Sequence, residues 1–489
     1  MSRACAAIVA GLLLSACANM PAPHPPENPW QQMARTDLEF IHQVIERHHP
    51  GPVDELNPPF RDWFIDGYDR ALARIPEVKG FGAYQHVLLY YVQGFADAHL
   101  SLNFWLDFRW HQWAGIVLAW NGAAFELRHA AEDVGLAPGA VLEGCDGRSA
   151  EALWQASVAP FYARAELPAN RFRHAPKLLL SNGNPLVERP ARCAFMIAGK
   201  RVEHELRWRS SPPAELQRAL SAGAPQDRAL ELRDFGRRGA WLTLPSFGAQ
   251  GDAVVAMRDT FAALGTYRDA DFVVVDVRGN SGGSSYWSEP FVRGLYGDAF
   301  FERLSFEQRQ RTAGAYVDHR VSAENLLHFE SILPMISEQA GEDSEMYRYF
   351  AGLVDGMRVA LDKGEPLFRV RRDEESAAEP PPAEPAFRGR LIYLTDSVCV
   401  SACLDFSDTV MALPRVTHVG QPTSADTTYM EIRGVTLPSN VGGLNFATKV
   451  YRGLSRGEPG YYTPQRQYIG DISDTPRVEA WLLETVLPE

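Results

Sequence analysis

Three apolar runs in the second half of the chain, each passing directly into a cluster of small polar residues, place the tightest limit on the fold. Phe272-Val273-Val274-Val275 leads into Asp276-Val277-Arg278-Gly279-Asn280-Ser281-Gly282-Gly283. Leu391-Ile392-Tyr393-Leu394 precedes Asp396-Ser397-Val398-Cys399-Val400-Ser401-Ala402-Cys403, and Val416-Thr417-His418-Val419 precedes Gly420-Gln421-Pro422-Thr423. Short runs without polar alternation suit strands buried on both faces, so the pattern predicts a parallel sheet covered by helices. Trp241-Leu242-Thr243-Leu244 is a further such run, and Ala253 to Leu264 and Ala402 to Met411 have helical texture. In sheets of this kind ligands sit beyond the carboxyl ends of the strands, so the three clusters predict one shared cleft.

The rest of the chain divides by texture. Residues 31–110 read as a helical region: Leu38, Ile41, Val44 and Ile45 recur at helical spacing behind Thr36 as an expected N-cap, and a second run covers Tyr84 to Phe95. Residues 111–212 carry short strand-like runs at Ile116-Val117-Leu118, Phe125-Glu126-Leu127, Ala140-Val141-Leu142 and Cys193-Ala194-Phe195-Met196-Ile197. The order Gly135-Leu136-Ala137-Pro138-Gly139, a strand, then Asp146-Gly147-Arg148-Ser149 resembles the centre of a PDZ domain. Such a unit implies capture of an extended peptide by strand addition. Residues 236–489 form the α/β part, with an insertion over about 298–387. The end of that insertion, from Arg372 to Pro385, is acidic and Pro-rich and is expected to be a surface loop.

The first residues read as a targeting signal. Arg3 precedes an apolar stretch, Ala6 to Ala16, far shorter than the roughly 20 residues a bilayer span needs. Leu14-Ser15-Ala16-Cys17 resembles the lipobox of bacterial lipoproteins, which implies a signal peptide over residues 1–17 and a lipid anchor on Cys17. Ala18 rather than Asp after Cys17 implies, by the same resemblance, the outer membrane facing the periplasm. Residues 18–30 are Pro-rich and read as a tether. Lys plus Arg number 48 against 61 Asp plus Glu, a net charge of −13, and no basic run offsets it. That is a poor basis for gripping phosphates, so no nucleic-acid partner is expected. Once Cys5 and Cys17 are set aside, Cys145, Cys193, Cys399 and Cys403 remain in an oxidising compartment. Three pairings are open, as are free thiols; Cys145–Cys193 with Cys399–Cys403 is the pairing expected.

Together, the segments VVVDVRGNSGG, LIYLTDSVCVSAC and VGQPTS resemble the core of the carboxyl-terminal processing (tail-specific) serine peptidases, a family that includes the tricorn core and retinoid-binding-protein-like members. The resemblance extends to the order of helical region, PDZ-like unit and α/β core, and implies a catalytic core of the ClpP/crotonase-like type. Ser401 matches the nucleophile. Ala402 N–H, with Gly282 or Gly283 N–H opposite, matches an oxyanion site at a helix N-terminus. In the tail-specific branch a Lys follows the nucleophile, but the matching position here is Asp426, and no Lys lies between Lys363 and Lys449. The tricorn-like branch uses a His and a Glu instead. Asp97-Ala98-His99 matches its base, His99, and Arg456-Gly457-Glu458 falls where its acid, Glu458, is expected. The role of Asp426 is left open.

The function this implies is a lipid-anchored periplasmic serine endopeptidase acting on proteins or peptides, with no metal or nucleotide cofactor. Two other readings stand beside it. Gly279-Asn280-Ser281-Gly282-Gly283 also matches the nucleophile-elbow pattern of α/β-hydrolases, which would make Ser281 the nucleophile of an esterase. With 11 Trp and 25 Phe, a non-catalytic protein binding peptides or apolar ligands on the same scaffold is the third.

Overall fold

The computed structural model describes residues 27–105, 112–162, 164–181, 183–210, 214, 216–217, 220, 228–312, 314–371, 379–426, 428–453 and 460–488. The signal, Cys17 and most of the tether lie outside them, as does Glu458.

The chain opens with three helices, α1 (Pro29–His48), α2 (Pro58–Leu72) and α3 (Phe81–Gln93). Leu38, Ile41, Val44 and Ile45 are all buried. The N-cap is Asn28, not Thr36: the Asn28 side chain accepts from the Gln31 amide and the Gln31 side chain closes a capping box. The tether therefore ends before residue 30, since Trp30 already belongs to α1. Thr36 sits in mid-helix, where its hydroxyl donates to the Gln32 carbonyl.

Strand β1 (Ser101–Phe104) leaves this helical region and pairs far down the chain. A β unit follows, its sheet ordered β2 (Ile116–Trp120), β3 (Phe125–Ala130), β4 (Val141–Cys145), β5 (Arg192–Ile197) and β6 (Lys200–Glu205). All four expected runs are strands here, and helices α4 (Ala150–Ser157) and α5 (Pro168–His174) lie between β4 and β5. Cys145 and Cys193 face each other across β4 and β5 and form a disulfide. Residues 175–179 pack against β2. Ala175, Leu178 and Leu179 pack on Ile116 and Leu118, and the Ala114 amide donates to the Leu179 carbonyl. The other edge, β6, is exposed and carries Arg201, Glu203 and Glu205, charges that discourage pairing.

The α/β part begins slightly earlier than expected. Its main sheet runs β7 (Glu231–Phe235), β8 (Gly239–Thr243), β9 (Phe272–Asp276), then strands 390–395, 416–420 and 466–467. All neighbours after the first pair are parallel. Helix α6 (Asp252–Ala263) and helix α7 (Ser288–Tyr296) cover one face, and a C-terminal helix, Thr475–Trp481, covers the other. This is the two-sided burial that the apolar runs require.

The insertion is part of the scaffold. It contributes β10 (Tyr316–Arg320), α8 (Ala323–Ala340), α9 (Glu345–Asp362) and β11 (Leu367–Arg371). After it come β12 (Arg390–Thr395), α10 (Ala402–Met411), β13 (Val416–Gly420), β14 (Tyr429–Thr436) and β15 (Gly442–Arg452). Strands β1, β15, β10 and β11 form a second, antiparallel sheet, with β14 also paired to β15. Ser101 pairs with Asn445 and Phe104 with Gly442, so the segment just after His99 is fastened to the C-terminal half. Helices α1 and α3 pack on this sheet through Tyr429, Leu444 and Phe446.

Candidate active site

Strands β9, β12 and β13 are consecutive neighbours in the main sheet, so the loops leaving their carboxyl ends lie side by side. The three polar clusters are thereby brought side by side. Asp396 ties two of them: its carboxylate accepts from the Gly279 amide at 2.8 Å and the Val398 amide at 3.0 Å. Its burial pushes its pKa above the usual carboxylate range, against the pull of those two donors. Asp276 is held the other way. Burial alone would raise it, but the guanidinium groups of Arg278 and Arg228 outweigh that and keep it below the ordinary range.

Ser401 sits at the turn into α10 with φ 59° and ψ −129°, a left-handed conformation uncommon for a residue with a side chain. Such backbone is kept where the surroundings impose it, and it is characteristic of a serine presented at a sharp strand-to-helix turn. The disulfide Cys399–Cys403 brackets this turn, and both cysteines are fully buried. The Ser401 carbonyl is engaged by the Leu404 and Asp405 amides, while the Ala402 amide, first in the helix, makes no hydrogen bond among the described residues. An unused amide at a helix N-terminus is a ready donor to an oxyanion.

Gly282 closes the other side. A Cβ placed on it would stand 2.9 Å from the Val400 carbonyl oxygen, 3.0 Å from Ser401 Cβ and 3.1 Å from the Ala402 nitrogen, and its φ is 104°. Only glycine fits there. The expectation of Gly282 or Gly283 as second donor is narrowed by the bonds already made. The Gly282 amide donates to Asn280 Oδ1 at 2.9 Å, whereas the Gly283 amide has no acceptor among the described residues. Gly282 is thus a spacer and Gly283 carries the open N–H. Asp405, in the first turn of α10, accepts from Ser285 Oγ at 2.6 Å and holds the end of the glycine-rich loop against the helix.

His99 is buried on the segment between α3 and β1. Its amide donates to Asp97 Oδ1 at 2.9 Å. Asp97 Oδ2 lies 2.9 Å from His49 Nε2, and because the Gly51 amide donates to His49 Nδ1, the proton between His49 and Asp97 is carried on Nε2. Burial alone would raise Asp97; the His49 hydrogen bond and the neighbouring imidazoles hold it below the usual range instead. Asp97 therefore fixes the turn that carries His99. The imidazole Nε2 of His99 lies 3.8 Å from Asp426 Oδ1, with both side chains almost wholly buried. Asp426 is on the loop after β13, next to the loop of Ser401, and is anchored by reciprocal backbone bonds with Gly460. The sequence signal for it was its occupation of the position where a related branch carries lysine; its approach to His99 depends on the pairing of β1 with β15.

Ser281, the rival nucleophile, is exposed and lacks positive-φ backbone, and no helix starts directly after it. The elbow geometry belongs to Ser401.

A parallel α/β sheet with a serine at a strained strand-to-helix turn, an open helix amide and a glycine packed against it is an arrangement suited to a hydrolase with a serine nucleophile. Residues 238–458 match the model of peptidase family S41, which supports a serine-type peptidase. Among solved structures, mature CPAF is similar at 12% identity, over 93% of this chain and 97% of that one, with a TM-score of 0.58. CPAF complexed with lactacystin is similar at 12% identity over 94% and 100%, with a TM-score of 0.57. The photosystem II D1 C-terminal processing protease aligns at 11% identity over 93% and 97%, with a TM-score of 0.36. At these identities the likeness to CPAF is one of fold. No curated protein sequence matches the chain.

Proposed function

We propose that the chain is a serine endopeptidase, lipid-anchored at Cys17 and facing the periplasm, that cleaves proteins or peptides through Ser401 and His99. The anchor and location rest on the lipobox-like Leu14-Ser15-Ala16-Cys17 alone. The observation that carries the catalytic reading is the Ser401 turn, with Gly282 packed on Ser401 Cβ and the Ala402 amide left open.

In this mechanism His99 takes the Ser401 proton as Oγ bonds to the scissile carbonyl carbon. Negative charge develops on the carbonyl oxygen and is received by the Ala402 and Gly283 amides. The C–N bond then breaks, and the proton on His99 passes to the leaving amine. Water, deprotonated by His99, releases the acyl group and restores Ser401. While His99 is an imidazolium, Asp426 is the carboxylate nearest to it among the described residues. Glu458 keeps its assigned support of His99 by resemblance to the tricorn-like branch. The test is cleavage of an unfolded protein by the signal-free chain beside Ser401→Ala and Ser281→Ala, with folding checked by circular dichroism. Loss in Ser401→Ala alone supports the reading; loss in Ser281→Ala alone overturns it.

A further inference from the structure

Away from the cleft, a cavity of about 1310 Å³ opens between the N-terminal helices and the β unit. Its floor is apolar, with Leu153, Leu178, Leu186 and Trp208. Among the described residues its lining carries five cations, Arg70, Arg74, Arg148, Lys177 and Arg189, against two carboxylates, Glu77 and Glu188. In a chain of net charge −13 this is a local inversion of sign. The cations are also poorly neutralised. Arg74 lies over the Tyr90 ring and Lys177 over the Tyr162 ring, at 4.2 and 4.6 Å from the centroids. Arg189 bonds the amide side chain of Gln112 and lies over Trp208. No ion pair of Arg148 or Lys177 is found among the described residues. Arg70 reaches Asp66 only at 3.9 Å, with both side chains exposed.

Cations held on aromatic faces in a concave site and left without counter-charges favour an anionic guest, because low-dielectric walls concentrate their field. Burial together with the charge of Arg173 lowers Lys177 from its ordinary range. We propose that this cavity is a docking site for an acidic, apolar-flanked segment of the protein substrate, held at a distance from the bond to be cut. This rests on the endopeptidase reading above.

The experiment measures fluorescence anisotropy of a labelled peptide of alternating Glu and Leu on the full signal-free Ser401→Ala chain, with a Lys–Leu peptide as control. The expected result is binding of the acidic peptide only. Binding weakens at least tenfold in Arg148→Glu and in Lys177→Glu, less in the Gln variants, and falls with added salt. Equal binding to the parent and charge-reversed chains, all folded by circular dichroism, overturns the proposal, as does no binding to the parent. Since binding is read on an inactive variant, its failure is separate from failure of the peptidase reading, which appears as no cleavage by the Ser401 form. With the active enzyme, Lys177→Glu is expected to raise KM for an acidic unfolded protein without lowering kcat on a short neutral peptide.

Discussion

His99 Nε2 and Asp426 Oδ1 face each other across 3.8 Å in a site where both side chains are almost completely buried. The residues come from opposite ends of the chain and meet because β1 pairs with β15 while Asp426 follows β13. In the proposed mechanism a carboxylate in that place favours the imidazolium formed on His99 during attack. Asp426→Asn is therefore expected to lower kcat by at least about tenfold with little change in KM. Steady-state kinetics on a fluorogenic peptide checks this; unchanged kcat would leave Asp426 a structural loop acid.

Removal of the proposed nucleophile or base is expected to have a larger effect. Ser401→Ala and His99→Ala should each lower kcat by about 10³-fold or more, and the double variant should be little worse than either, because the two act as one unit. Additive losses in the double variant would mean that they do not act together.

Gly282→Ala tests the close approach of the two loops. The added Cβ would meet the Val400 carbonyl at 2.9 Å and Ser401 at 3.0 Å, at a φ that disfavours any side chain. Activity should fall by about 10²-fold or more through displacement of the oxyanion donors. Far-ultraviolet circular dichroism should be unchanged, and full activity would contradict the packing.

The disulfide Cys399–Cys403 holds both sides of the Ser401 turn. The double variant Cys399→Ala/Cys403→Ala should keep the fold, since the surrounding core is extensive, yet lose several-fold in kcat. Parent-like kcat in that variant would show that packing alone sets the turn.

Stability should fall on mild acidification. His86, His319 and His418 are buried as neutral rings, burial holding them down to about 4, about 3 and about 4. In the unfolded chain their ordinary value is near 6.5. Between about pH 6.5 and 4 the unfolded state thus binds more protons, so stability is full above that window and declines as pH falls through it. Melting temperatures from pH 7.5 to 4.5 should drop steadily, and His418→Gln should flatten the curve; a melting temperature that rises toward pH 4.5 would contradict this.

The sequence by itself determined the local matters: apolar runs long enough for buried strands, polar clusters at their ends, and helical faces at Leu38, Ile41 and Ile45. These follow from side-chain period and size, which neighbours along the chain fix. It also marked Ser401 and His99, through motifs each contained in a few residues. The cap at Asn28 went unread because it depends on a reciprocal bond with Gln31 rather than on residue type alone. What only the tertiary structure decided were long-range matters. The insertion supplies β10 and β11 to a sheet with β1 and β15, residues 175–179 pack against β2, the Gly282 amide is spent on Asn280, and Asp426 meets His99. Each depends on strand pairing between distant segments. Pairing is settled by the burial and hydrogen bonding of the whole sheet, which no local pattern encodes.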